Sequence, residues 1–411
     1  MHYSRYIKPQ LEAALLDTPV VLIHGPRQAG KTTLAQELVG DRYHYVTFDD
    51  DTELAAARND PWGFIDGLPG NSVLDEIQRV PELFPSIKRA VDQQRTPGRF
   101  LLTGSANILA MPRLTESLAG RVEVVKLRPL SRCEIEGSRA GFFADAFAGR
   151  INANFKARLG ELLFDCVAAG GFPEPLQRTD TKRQRAWYAN YLKVMVQKDI
   201  AEFANMHYAD EIPALLQKAA NHTASLFNVA EINRGLGFDV KTTRRYLDLL
   251  KQLFLIETLP PWFSNRNKRL IKTPKMHIAD TGLLCALLKT NKAQLMKNRT
   301  LMGPVLETFV YGELRKQADW YGEELQFFHY RDKDQYEVDL VVQNEAGSLI
   351  GIEVKLAASV SESDFKGMRR FQSQHPDKVV GGYLLYDGER TLSFGDGLKA
   401  VPIQALWGPG K

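Results

Sequence analysis

The sequence predicts an α/β protein that opens on a parallel sheet with helices on both faces and closes on a second α/β region. Three observations predict it. Short apolar runs alternate with helical patterns over the first 130 residues, the rhythm of strand–helix–strand units. A helical stretch broken by Gly and Pro fills the middle. Strand-like runs return after residue 324, and some carry charges in their apolar centres. At 411 residues the chain has room for two or three domains. We delimit the segments as 1–150, 151–219, 220–264 and 265–411.

Residues 1–16 have the pattern of an amphipathic lead-in helix. The runs PVVLIH (19–24), YHYVTF (43–48), SVLD (72–75), RFLLTG (99–104) and VEVVKL (122–127) predict strands. GKTTLAQELV and PELFPSIKRAVDQQ are the clearest helices between them. From 151 to 215 the pattern is helical, and AAGGFPEP (168–175) marks a helix–turn–helix connection. Residues 220–262 hold two short amphipathic helices, NVAEINRGLG and VKTTRRYLDLLKQLF, and the strand-like LIETLP. Past PPWFSNRNKR come the helical GPVLETFVYGELRKQADWY and the strands LQFFHYR, YEVDLVVQ, GSLIGIEVKLA and KVVGGYLLYD.

Composition is that of an ordinary globular chain, with 44% hydrophobic and 25% charged residues. A net charge of +4 permits a nucleic-acid partner without demanding one. No apolar run reaches the roughly 18 residues of a membrane span, and the first residues lack a signal-peptide pattern. We therefore expect a cytoplasmic protein with no membrane partner. Cys133, Cys166 and Cys285 match no zinc or disulfide spacing and are expected as reduced thiols.

GPRQAGKT, residues 25–32, follows the first strand and opens the next helix. Gly25 and Gly30 let the backbone turn so that several N–H groups point at phosphates. Lys31 would neutralise the β- and γ-phosphates of ATP, and the Thr32 hydroxyl would hold Mg²⁺. Thr33 continues the same first turn of a helix whose positive end faces the phosphates. SVLDEIQ supplies Asp75, expected on Mg²⁺, and Glu76, expected to polarise the attacking water. LLTGSAN places Thr103, Ser105 and Asn107 at the end of another strand, where Ser105 or Asn107 would reach the γ-phosphate or the water. Arg121, in SLAGRVEVV, would reach a neighbouring subunit's nucleotide, which requires a homo-oligomer. A surface arginine at a helix end would look the same.

GPRQAGKT, VLDEIQ, LLTGSAN, SLAGRV and LRPLS, in that order, resemble the AAA-type ATP-binding domain of a large group of bacterial and archaeal ATPases. Those proteins join this domain to a C-terminal domain of formerly unknown function, and GGFPEP, ADTGLL and VDLVV…IEVK match that second half. The resemblance implies strand order 5-1-4-3-2 in residues 1–150 and a helical lid in 151–219.

Residues 220–264 have the pattern of a winged helix. Leu247, Leu250 and Leu253 share one side of its second helix, and Lys241, Arg244 and Arg245 gather in its N-terminal half, the end that meets DNA in a recognition helix. An ordinary solvated face would look the same.

In residues 265–411, YEVDLVV and GIEVKLA are neighbouring strand candidates. Alternation puts Glu337 with Asp339, and Glu353 with Lys355, on one face each. If the strands pair, Asp339, Glu353 and Lys355 converge. Two carboxylates suit Mg²⁺ and a lysine can orient a water, the parts of metal-assisted phosphodiester cleavage. This spacing resembles the PD-(D/E)xK nuclease core, which often adds a glutamate from a preceding helix; Glu307 is the first choice and Glu313 the second. The expectation is an ATPase that acts on nucleic acid, with DNA favoured. The alternative is an ATP-gated switch that binds a protein partner through an inert nuclease-like domain.

Overall fold

The computed structural model describes residues 2–105, 116–138, 141–195, 211–264 and 273–408. One compact unit comprises Ser4–Leu130 together with Gln252–Phe254; the other described residues form a second.

In the first unit the strands are β1 (Val20–His24), β2 (His44–Thr47), β3 (Ser72–Asp75), β4 (Phe100–Gly104) and β5 (Val122–Lys126). They pair in parallel in the order β2-β3-β4-β1-β5, the order the family resemblance implies. Strand β1 is buried along its whole length between β4 and β5, which is why it reads as a continuous apolar run. The helix Leu83–Gln93 lays Leu83, Phe84, Ile87, Ala90 and Val91 against the core that Leu22, Leu74 and Leu102 build. The lead-in helix spans Lys8–Asp17, later than 1–16, with Pro9 in its first turn, where a fixed φ and a missing N–H cost nothing.

The second unit begins with helices. Glu161–Ala169, Pro173–Leu176, Thr181–Met195 and Ile212–Asn221 follow the predicted helical stretch. The turn between the first two is locked to the helix Thr281–Leu287 by the buried Asp280, which accepts the N–H groups of Gly171 (2.7 Å), Gly282 (2.9 Å) and Leu283 (3.2 Å). Thus GGFPEP and ADTGLL, far apart in sequence, meet at one carboxyl. Next come the helices Val229–Asn233 and Val240–Gln252, and a three-stranded antiparallel sheet ordered β6-β8-β7 from β6 (Ser225–Leu226), β7 (Ile256–Leu259) and β8 (Lys275–Ile278).

A long helix, Arg299–Ala318, leads into a six-stranded sheet. Its strands are β9 (Gln326–Arg331), β10 (Glu337–Gln343), β11 (Leu349–Lys355), β12 (Val379–Tyr386), β13 (Leu392–Ser393) and β14 (Leu398–Pro402), in the order β13-β14-β12-β11-β10-β9. Strands β9, β10 and β11 are antiparallel, whereas β11, β12 and β14 are parallel. The helix Lys366–Gln374 makes the β11–β12 crossover and buries Met368 and Phe371. Residues 142–155 also lie on this sheet: Tyr383 donates to Ala146 O, Phe143 meets Phe327 edge-on, and Phe155 N bonds Glu389 O at 2.7 Å. The first compact unit accordingly stops at Leu130, short of the 1–150 segment.

Candidate nucleotide site and buried charged cluster

The loop 25–30 leaves β1 and turns into the helix Lys31–Val39 through Gly30, whose φ of 95° is left-handed. Arg5 braces the loop from behind, donating to Ala29 O (2.9 Å) and Arg128 O (2.6 Å). Lys31 is buried along the loop, its Nζ 3.0 Å from Pro26 O. Thr33 lies exposed on the helix.

Asp75, buried at the end of β3, is the hub. Thr32 Oγ1 donates to it at 3.0 Å, Tyr45 OH at 2.8 Å, and Thr103 Oγ1 also donates. Thr32 and Asp75 offer only hard oxygens, side by side, a donor set that fits Mg²⁺. Glu76 follows with φ 58°, uncommon for a non-glycine residue, its N–H on Thr103 Oγ1 at 3.1 Å. Gln78 Nε2 bridges the Glu76 carboxylate and Ser105 Oγ. Asn107 lies outside the described residues. Arg121 pairs with Asp92 at 2.6 Å and donates to Ala119 O. At the end of β1, burial holds His24 down to about 4, helped by the charges of Lys126 and Lys31.

A second constellation lies in the larger unit. Strands β10 and β11 pair with Leu340 opposite Ile352, which brings Asp339 beside Glu353. Asp339 Oδ2 accepts the N–H of Val354 at 3.0 Å. Glu307 faces them from the helix Arg299–Ala318. Among these carboxyls sits the ammonium of Lys275, from β8, at 2.7 Å from Glu307 Oε1 and 3.4 Å from Asp339 Oδ1. Only 9% of the Lys275 side chain is exposed. Burial works against its charge, but Asp339 and Glu307 outweigh that and hold its pKa above the usual lysine range. Burial, then the Asp339 charge, pushes Glu307 up to about 8 and Glu353 well above the carboxylate range. Lys355 turns to Asp364. Arg331 pairs with Glu337 at 3.0 Å, at the strand end. Glu313 faces elsewhere, bound to Lys316 Nζ (3.0 Å) and Arg132 N (2.7 Å).

The family model described as "AAA domain" matches residues 17–136. Two models described as domains of unknown function, DUF8612 and DUF4143, match 160–294 and 302–406. The uncharacterized proteins Rv2008c of Mycobacterium tuberculosis and Mb2031c of Mycobacterium bovis are each 33% identical over 399 residues, 97% of this chain and 83% of theirs. The chain belongs to their family of AAA-type P-loop ATPases. Among solved structures, the Walker-type ATPase PABY2304 of Pyrococcus abyssi aligns at 15% identity and a TM-score of 0.40, over 68% of this chain and 94% of that one.

Sequence reasoning missed Arg5, Tyr45 and Lys275. KMHI carries the one local signal for Lys275: its ionisable residues alternate with Met and Ile, a strand with one polar face. His277, on that face, bonds Thr308 Oγ1 and stacks on Tyr311. Lys241, Arg244 and Arg245 are exposed on the helix Val240–Gln252, while Leu247, Leu250 and Leu253 are buried. No helix among the described residues is long and apolar enough to cross a membrane.

Proposed function

We propose that this chain binds ATP·Mg²⁺ through Gly25, Gly30, Lys31, Thr32 and Thr33 and hydrolyses it, with Glu76 orienting the attacking water and Arg121 acting in trans. The observation that carries the reading is the Thr32–Asp75 pair, a hydroxyl and a carboxylate 3.0 Å apart beside a glycine-turned loop. Thr32 and Asp75 would hold the metal, which when bound neutralises charge on the β- and γ-phosphates. Thr103 and Tyr45 keep the Asp75 carboxylate turned toward Thr32. The left-handed backbone at Glu76 and the Gln78 bridge fix where its carboxylate points. The test is ATP turnover by wild type, Lys31→Ala and Asp75→Asn, with nucleotide binding measured alongside. Turnover that survives in Asp75→Asn would refute the assignment.

The C-terminal partner we propose is nucleic acid, DNA first. The exposed Lys241, Arg244 and Arg245 support it, with a winged-helix reading of 220–264. So does a nuclease-like reading of the last sheet, where antiparallel β10–β11 carries Asp339 and Glu353 and a preceding helix carries Glu307. Binding should weaken steeply with salt, as phosphate contacts do. Salt-independent binding, or binding unchanged when all three basic residues become Ala, would favour a protein partner instead.

A further inference from the structure

A nuclease core of the type considered for the last sheet presents its carboxylates to a divalent cation. Here the cation position is already taken. Lys275 Nζ lies 2.7 Å from Glu307 Oε1 and 3.4 Å from Asp339 Oδ1. The other Asp339 oxygen is occupied by the Val354 N–H. Lys275 is not a surface residue that swung in. It is the first residue of β8, whose burial is complete along its length, and β8 is paired on both edges, with β6 and β7. The stem therefore starts from fixed backbone, and among the described residues the ion pairs of the ammonium are those with Glu307 and Asp339. An isolated buried ammonium is costly, and removing its partners leaves an uncompensated charge. Carboxyls and lysine thus hold one another in place. The lysine expected to serve a nuclease, Lys355, is engaged by Asp364.

We propose that Lys275 is the resident cation of the Glu307–Asp339–Glu353 cluster, a tethered ammonium in place of the divalent metal, so that this domain holds its ligand without cutting it. The inference rests on the nuclease-like reading of the last sheet and not on the ATPase reading. The donor set fails the test that Thr32 and Asp75 pass: the oxygens are present, but a positive charge of the chain's own sits among them. The charge also comes from a different sheet than the carboxylates, so the cluster fastens β8 to the helix Arg299–Ala318 and to β10.

The test is Mn²⁺ binding by the full chain, read by electron paramagnetic resonance and by thermal shift. An Asp75→Asn background removes the nucleotide site's own contribution, so the result does not depend on the ATPase. The parent and its Asp339→Asn variant should titrate alike. Lys275→Met should gain one Mn²⁺ equivalent, show a rise in Tm with Mn²⁺, and lose both on adding Asp339→Asn. If Lys275→Met fails to fold, Lys275→Gln, which keeps a hydrogen-bond donor, replaces it. If neither folds, the parent and Asp339→Asn comparison decides alone. A bound Mn²⁺ in the parent that Asp339→Asn removes would overturn the proposal. So would a folded Lys275 variant that gains none.

Discussion

Gly25→Ala probes the nucleotide loop at its tightest point. A Cβ on residue 25 would lie 2.1 Å from Leu127 O and 3.1 Å from its carbonyl carbon. Real Cβ contacts below 3.0 Å essentially do not occur, so the loop must retreat by about 0.9 Å, the difference between 3.0 and 2.1 Å. The obstacle is backbone and cannot rotate away. Leu127 is itself tied to the sheet through its N–H on His24 O at 2.8 Å. The retreat pulls against Arg5 on Ala29 O and Lys31 on Pro26 O. Overpacking of this kind costs about 1–3 kcal/mol. Displacing the loop N–H groups by nearly 1 Å from the phosphates should weaken function on the order of 10²-fold. Titration with a fluorescent ATP analogue reads the loss of binding, and thermal unfolding followed by circular dichroism reads the stability cost. A folded Gly25→Ala protein that binds ATP within about threefold of wild type would refute the reasoning.

Arg121→Ala breaks a partly exposed pair with Asp92 and should leave stability nearly unchanged; ATP turnover should fall by about 10³-fold with little change in ATP affinity if the guanidinium acts on a neighbour's nucleotide, and unchanged turnover would remove it from the site. His24 is held to about 4 when folded, against 6.5 unfolded, so the stability it contributes is present above pH 6.5 and is lost as pH falls toward 4. The slope is about 1.4 kcal/mol per pH unit at most, and unfolding curves across that window should be flatter for His24→Asn; equal slopes would contradict this. Burial pushes Cys133 up to about 12, Cys166 to about 11 and Cys285 to about 12. Native protein should therefore resist iodoacetamide at pH 8, and all three thiols should react once it is unfolded.

The parallel sheet was legible in the sequence because strands buried on both faces must be continuously apolar, and VVLIH or FLLTG can be little else. Thr32 was expected on Mg²⁺ from the loop motif and Asp75 from its place at a strand end, and the structure sets the two side by side. Strand β8 was barely legible, its local sign being the alternation in KMHI. Two of its four residues are Lys275 and His277, and what makes their burial tolerable lies 32 and 64 residues away at Glu307 and Asp339. No local pattern carries that. Lys355 shows the limit from the other side: alternation fixes the face a lysine leaves from, and the flexible stem, here drawn to Asp364, decides where the charge arrives. Arg5 was hidden for the same reason, since it meets Arg128 O across 123 residues.

The stretch 142–155 is packed on a sheet whose strands are made much later. Ala146 meets Tyr383 across 237 residues, and Ala153 meets Thr391 across 238. At the usual 5–20 residues per second, a ribosome needs roughly ten to fifty seconds to supply that partner. Through that interval Phe142, Phe143 and Ile151, all buried in the finished protein, have no finished surface to occupy. The larger unit therefore cannot close in the order in which it is synthesised, and a chain stopped before β12 leaves its earlier aromatic residues without the sheet that covers them.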